Sequence, residues 1–345
     1  MSTLPHHITS EGQLDEVLIT PRATLCDFMR HVQSPLIVLG AGGKMGPSLA
    51  ALAKRAADEA GHPLEVIAVS RFSSAAARQW LEQHHVRTIA VDLLDPTAWS
   101  ALPDSANIIH LVGLKFGTEQ NPALTWATNT LPPSAACRRY PHARIVALSS
   151  GTIYPLMPVT SGGATEETPL NPAGEYANAC LARERIFQHH SQQTRTPIAL
   201  IRLNYAIDLR YGVLHDIAQK IAQHEPIDLA MGHLNCIWQS DANEFILRSL
   251  ALCDSPPALW NLTSQEIWPV RDLALKLGGL MNIAPVFVGN ENPTALLSNP
   301  SRLLAKLGAP PTSLETMLRW TAHWVQRGGT SLGKPTHFEV RDGKY

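Results

Sequence analysis

Three glycines spaced three residues apart constrain this chain more than any other feature. In the stretch Val38-Leu39-Gly40-Ala41-Gly42-Gly43-Lys44-Met45-Gly46 they end a short apolar run and open a helical stretch over 44–59. Gly40 permits a tight turn, Gly43 lets the backbone come close to a ligand, and Gly46 lets helix and strand pack closely. A helix that starts at such a turn offers its first amides, and the positive end of its dipole, to phosphate oxygens. The turn follows a strand, precedes a helix and opens a β-α-β unit. That context predicts dinucleotide binding through Gly40, Gly42, Gly43, Lys44, Met45 and Gly46 rather than a merely structural turn.

The alternation continues beyond that unit. Apolar runs at 64–70, 87–93, 107–113, 144–150 and 197–203 alternate with helical stretches, including 73–84 and 174–192. Near-continuous apolar strands between helices belong to a parallel sheet covered on both faces. The expected fold class is therefore α/β, a Rossmann-type doubly wound parallel sheet with a smaller C-terminal substrate-binding cap. Shorter elements follow from about residue 205, with helices expected at 241–253, 268–280 and 312–327. The expected organisation is an N-terminal helical extension over 1–33 and a dinucleotide-binding domain over 34–204. A cap occupies mainly 205–330, and a tail 331–345.

Composition excludes more than it assigns. The 345 residues are 45% hydrophobic and 17% charged, with a formal net charge of -1. Such a balance does not point to nucleic acid or to an anionic membrane. No apolar run approaches the ~20 residues of a membrane span, and the first residues lack a cationic-then-apolar export pattern. A cytoplasmic location is expected. The five cysteines are scattered, as suits thiols in a reducing compartment, and the paired histidines point about 100° apart on a helix, so no metal site is expected.

The end of the second strand normally meets the adenosine ribose. A carboxylate there would bond the 2′-hydroxyl, whereas an arginine accommodates a 2′-phosphate. This chain has Ser70 and Arg71, which favours NADP, with NAD the alternative. Asp92 and Leu93, after the third strand, suit the adenine.

With these pieces in order, the chain resembles the NAD-dependent epimerase/dehydratase family, the extended branch of the short-chain dehydrogenase/reductases. The likeness runs over about 35–330. It is carried by the glycine turn, His110-Leu111-Val112-Gly113, Asn129, the segment 149–155, and the long segment 164–184, with 202–204, 236–242 and 298–308 further on. The resemblance implies that Val112, Gly113 and Asn129 lie against the cofactor, and that a homodimer forms through the 120–138 and 174–192 helices. It casts Tyr176 as the general acid/base and Ser150, four residues before Tyr154 and 26 before Tyr176, as the group that bonds the reacting oxygen. A tyrosine, with its ordinary pKa near 10, must be acidified to act as a base at neutral pH.

The family's motif is Tyr-x-x-x-Lys, and here Cys180 stands where the lysine belongs. A lysine one turn beyond the tyrosine holds the nicotinamide ribose and lowers the tyrosine pKa. A short, mostly neutral cysteine does neither, although its place keeps Cys180 among the residues beside the cofactor. Three readings stay open. Another cation substitutes, Lys115 before Arg183, since Arg183 lies two turns beyond Tyr176. Alternatively the reaction does not rely on tyrosinate, or the chain is a catalytically silent NAD(P)-binding sensor or scaffold.

The dehydratase branch carries Asp-Glu after the serine or threonine. Gly151 and Thr152 occupy those places here, which argues against a 4,6-dehydratase. The remaining expectation is an oxidoreductase or epimerase acting by hydride transfer on the alcohol or ketone of a sugar, sugar acid or nucleotide sugar. Lys115, Thr152, Asn204, Arg210, His233, Asn235 and Trp238 are the expected substrate contacts, because their side chains suit sugar hydroxyls and anions.

Overall fold

The computed structural model describes residues 4–115 and 117–344. Seven strands form one parallel sheet: β1 Leu36–Leu39, β2 Val66–Ser70, β3 Arg87–Ala90, β4 Asn107–His110, β5 Arg144–Ser150, β6 Ile198–Leu203 and β7 Ala258–Leu262, in the order β7-β6-β5-β4-β1-β2-β3. The order reverses between β1 and β4. In open α/β sheets, ligands bind outside the strand ends at such a reversal. The glycine turn after β1 and the loop after β4 flank that point.

Alternate residues of β1 serve opposite faces. Leu36 and Val38 pack with Leu49, Ala53 and Phe245, while Ile37 and Leu39 pack with Ile108, Cys137 and Phe187. This two-sided burial is why the strands read as unbroken apolar runs. After the helices α1 Glu11–Ile19 and α2 Ala23–Met29, the connections between strands are α3 Gly46–Glu59, α4 Ala75–Gln83, α5 Pro122–Arg139 and α6 Gly174–Thr194. Prolines at 132 and 133 lie inside α5 and are buried.

The remaining helices are α7 Val213–Ala222, α8 Gln239–Arg248, α9 Val270–Met281, α10 Ser301–Leu307 and α11 Leu314–Gln326. Helices α7, α9 and α11 surround a second core containing Trp238, Trp320 and Trp324. No helix among the described residues is long and apolar enough to cross a membrane.

The expected domain boundary at 204/205 needs correction. Strand β7 pairs with β6 along its whole length, Ala258 opposite Ala199 through Leu262 opposite Leu203. The preceding helix α8 contributes Phe245 and Ile246 to the main core beside Leu49 and Ala53 of α3. The chain thus leaves the sheet at Leu203, forms part of the cap, returns for 239–262, and leaves again. The extension is divided too: Leu14 and Leu18 enter the cap core, whereas Leu25 and Met29 enter the main core. Nor is the expected tail loose over its described residues 331–344, because Phe338 is buried in the cap core and Arg341 donates to Ala230 O and Thr294 O.

Candidate active site

The glycine turn has the shape its sequence requires. Gly40 has φ +80°, and a Cβ there would lie 2.7 Å from the Val112 amide nitrogen. A Cβ on Gly46 would collide with the Ala41 backbone, so helix α3 can approach the turn only because that Cβ is missing. A Cβ on Gly43, by contrast, would meet nothing nearer than Gly40 O at 3.5 Å, and Gly42 and Gly43 are both exposed. Open backbone at the start of a 14-residue helix is a cradle that fits a diphosphate. Ser70 lies against Gly42, and Arg71 is exposed at the end of β2. Asp92 accepts from the Leu94 amide, and Leu93 is buried, its carbonyl accepting from Trp99 Nε1. Met45 is half-buried as the residue before α3.

Ser150 ends β5, nearly buried, and Tyr176 lies in the first turn of α6. The two side chains are hydrogen-bonded to each other, and Tyr176 also bonds Cys180. Ser150 Oγ further accepts from the Thr152 hydroxyl at 2.9 Å and the Thr152 amide at 3.2 Å. Thr152 therefore orients Ser150. Burial, and secondarily Cys180, hold the Tyr176 phenol well above the ordinary tyrosine range, with Arg183 and Ser150 opposing.

Cys180 is completely buried, so the expectation that it touches a bound cofactor is corrected. Its Sγ accepts from Arg183 Nη2 at 3.0 Å. The same nitrogen donates to Asn129 Oδ1 at 2.9 Å, while Nη1 donates to Leu148 O at 2.7 Å. Asn129 in turn donates to Leu114 O and Thr125 O, and a Cβ on Gly113 would lie 3.1 Å from its Oδ1. Asn129 is thus fully buried and engaged; the surface beside the turn is formed by Val112 and Gly113 instead. Spacing from Tyr176 underrates Arg183, which lies seven residues beyond it. It lies only three past Cys180, and a guanidinium spans that gap.

Lys115 lies in the loop after β4. Its Nζ is 3.4 Å from Tyr211 OH, and Cys180 and Asp216 are close enough to perturb it. It therefore belongs to the same locus as Tyr176. The cap residues divide. Trp238 packs edge-on against Trp320, ring centroids 5.2 Å apart, in the cap core. Asn235 is fully buried, donating to Ser298 O and Ser264 O and accepting from Asn204 Nδ2 at 2.9 Å. Trp238, Asn235 and Asn204 are thereby corrected from substrate contacts to interior residues. Burying an aromatic ring, and satisfying amides internally, stabilises the cap itself. Arg210 is held by Asp15 at 3.0 Å and Asp208 at 3.5 Å, which fixes the cap to the extension rather than leaving a free anion clamp. His233 is half-buried in a two-residue pairing with Trp268–Pro269.

The sequence profile described as the NAD dependent epimerase/dehydratase family matches residues 36–222. A search of the curated proteins gives no match. Among solved structures, the chain is similar to UDP-glucose 4-epimerase of Thermus thermophilus in complex with NAD, at 19% identity and a TM-score of 0.68, covering 84% of this chain and 98% of that one. It is similar to dTDP-glucose 4,6-dehydratase of Bacillus anthracis with NAD, at 13% identity and 0.70, covering 86% and 97%. UDP-glucuronic acid 4-epimerase of Bacillus cereus with NAD gives 15% identity and 0.71, covering 85% and 96%. The profile match spans more than half the sequence and contains the glycine turn, Ser150 and Tyr176. On that ground the chain belongs to the NAD-dependent epimerase/dehydratase family, whose members are nicotinamide-dependent enzymes.

Proposed function

We propose that this enzyme transfers hydride to or from the carbinol or ketone carbon of a sugar, sugar acid or nucleotide sugar, as an oxidoreductase or epimerase. The observation that supports it is the junction of Tyr176 with Ser150 at the strand ends, beside an open glycine cradle. The bound nicotinamide supplies the hydride donor or acceptor. The rest falls to side chains of this chain. Ser150, oriented by Thr152, bonds the reacting oxygen, and Tyr176 gives or takes its proton.

The lysine's electrostatic role passes to Arg183 acting through Cys180. A guanidinium keeps its charge at any working pH, and that charge opposes the rise in the Tyr176 pKa. The proposed cofactor preference is NADP, through Arg71, exposed just after β2.

Tyr176→Phe should lower kcat by a factor of about 100 or more, the usual worth of a positioned acid/base. Arg183→Gln should leave cofactor affinity unchanged and move to higher pH the limb of the kcat–pH profile that Tyr176 controls, the acid limb where it takes a proton and the basic limb where it gives one. A Tyr176→Phe enzyme as fast as wild type would refute the assignment. Cofactor binding without hydride exchange by the wild-type protein, across neutral and acidic sugars, would favour the silent sensor reading.

A further inference from the structure

Two lysines and a tyrosine between the glycine turn and the cap form a cluster that the acid/base pair leaves unused. Lys44 belongs to the glycine turn but points away from it. Its Nζ donates to Ala206 O at 2.8 Å and lies 4.4 Å from the centroid of the Tyr211 ring. Lys115 approaches the same tyrosine from the β4 side, at its hydroxyl. Tyr211 is buried. One phenol therefore separates two ammonium groups, one over its face and one at its oxygen, and a cation over an aromatic face is held there by the ring's quadrupole.

The acids nearby are already engaged. Asp208 and Asp15 hold Arg210, and Asp216 accepts from the amide and hydroxyl of Thr336 at 2.7 and 2.6 Å. Among the described residues Lys44 forms no ion pair with a carboxylate. Burial brings the Lys44 ammonium down to about 8; Asp208 opposes it, while Lys115 and Arg210 add to it. Burial also lowers Lys115. Both groups would regain their ordinary basicity beside an anion.

We propose that Lys44 and Lys115 form the two sides of an anion subsite, and that the reacting molecule carries a carboxylate or phosphate seated there beside Tyr211. The inference rests on the reading of Tyr176 as the reaction centre, and it narrows that reading to acidic substrates. Two directions distinguish this subsite from the diphosphate cradle. Lys44 reaches toward the segment after β6 and not over the exposed Gly42 and Gly43, and Lys115 lies on the Cys180 side. The anion is thereby placed on the molecule that meets Tyr176.

The test titrates D-glucuronate, D-glucose 6-phosphate and D-glucose against wild type, Lys44→Met and Lys115→Met, by calorimetry, with and without NADH. NADH and NADPH are also titrated alone against all three proteins. The expected result is that at least one acidic sugar binds wild type about tenfold more tightly than glucose. Each substitution should remove most of that advantage while leaving the Kd for NADH within about twofold. Which of the two acids binds assigns the anion as carboxylate or phosphate. Equal binding of glucose and both acids, or acid binding unaffected by both substitutions, overturns the subsite. Loss of NADH affinity in parallel with acid affinity also overturns it, by moving the lysines to the cofactor. Wild type that binds an acid in a lysine-dependent manner but neither NADH nor NADPH would keep the subsite and remove the dinucleotide reading. Should Lys44→Met fail to fold, Lys44→Gln and Lys115→Met carry the same comparison.

Discussion

In the proposed mechanism Arg183 substitutes for the lysine by reach rather than by position. One turn beyond Tyr176 stands the Cys180 thiol, and Arg183, three residues further on, donates to it at 3.0 Å. Sequence spacing does not reveal this, because the rule that pairs residues three or four apart links Arg183 to the thiol and not to Tyr176. A second residue on that side makes a pH prediction. His110 ends β4, fully buried and edge-on to Phe187, and burial, then Arg183, hold its pKa down to about 3 from the usual 6.5. It is neutral in the fold and takes a proton in the unfolded chain below 6.5. Its contribution is therefore complete above pH 6.5 and is lost as pH falls toward 3, at about 1.4 kcal/mol per pH unit. In denaturant titrations from about pH 7 to 4, His110→Leu should flatten the acid decline by that slope; an unchanged decline refutes it. At the other end of the cleft, Arg71→Ala should weaken NADP about tenfold and leave NAD unaffected. Equal losses for both would remove the 2′-phosphate contact and leave NAD as the better assignment.

Helix α6 shows how one element gathers a site. Tyr176, Cys180, Arg183 and Phe187 fall on one stripe facing the sheet, as spacings of four, three and four require. The stripe is fixed by Glu184, whose two oxygens accept from Arg202 of β6 at 3.0 and 2.8 Å, in a fully buried bidentate pair. Arg202 also donates to Tyr154 OH, and Tyr154 donates to Asn261 Oδ1 on β7. Removing one partner of such a pair leaves an uncompensated buried charge. Glu184→Ala should therefore cost about 3–5 kcal/mol in chemical denaturation, and a loss below about 1 kcal/mol would show that the pair does not hold the helix. Asn261 also explains why β7 was not legible. A polar residue inside Ala258–Leu262 reads as an interruption of an apolar run. In the fold it is satisfied on every side, its amide by Glu166 and its Nδ2 by Ala164 O and Asn299 O. Strand β6 carries Arg202 at the same penultimate place, but its apolar run 198–201 is longer and follows the helical stretch 174–192, so it reads as part of the alternation.

For the whole molecule, what was legible followed from continuity along the chain, and what was missed followed from returns to an earlier domain. The glycine turn and the parallel sheet could be read from local pattern, and the Ser150–Tyr176 pair from the family resemblance. The division of α1 and α2 between two cores, the return of 239–262 and the interior places of Trp238 and Asn235 depend on long-range packing that no local pattern encodes. The outer surface gives a further test. Leu124 and Leu131, two turns apart on α5, are exposed, and Trp126 donates to Glu175 of α6 at 2.6 Å. If the homodimer implied by the family resemblance uses these helices, Leu131→Asp should turn a dimer into a monomer in light scattering. A wild-type protein that is itself monomeric would refute the arrangement.

The far end of the sequence bears on Tyr176 as well. Gly343, with φ +78°, presses its backbone against Ala173 and Gly174, two residues before the tyrosine, after the chain has bonded to Arg210, Asp216 and Thr294 on its way. A fragment trimmed to the region of family likeness, 36–222, would retain every group that handles the proton. It would lack both the edge strand β7, whose Asn261 accepts from Tyr154, and the strap that packs against the first turn of the tyrosine's helix. The smallest autonomous unit of this enzyme is accordingly set by how the polypeptide is threaded, and dissecting it at the limits of homology would separate the chemistry from its support.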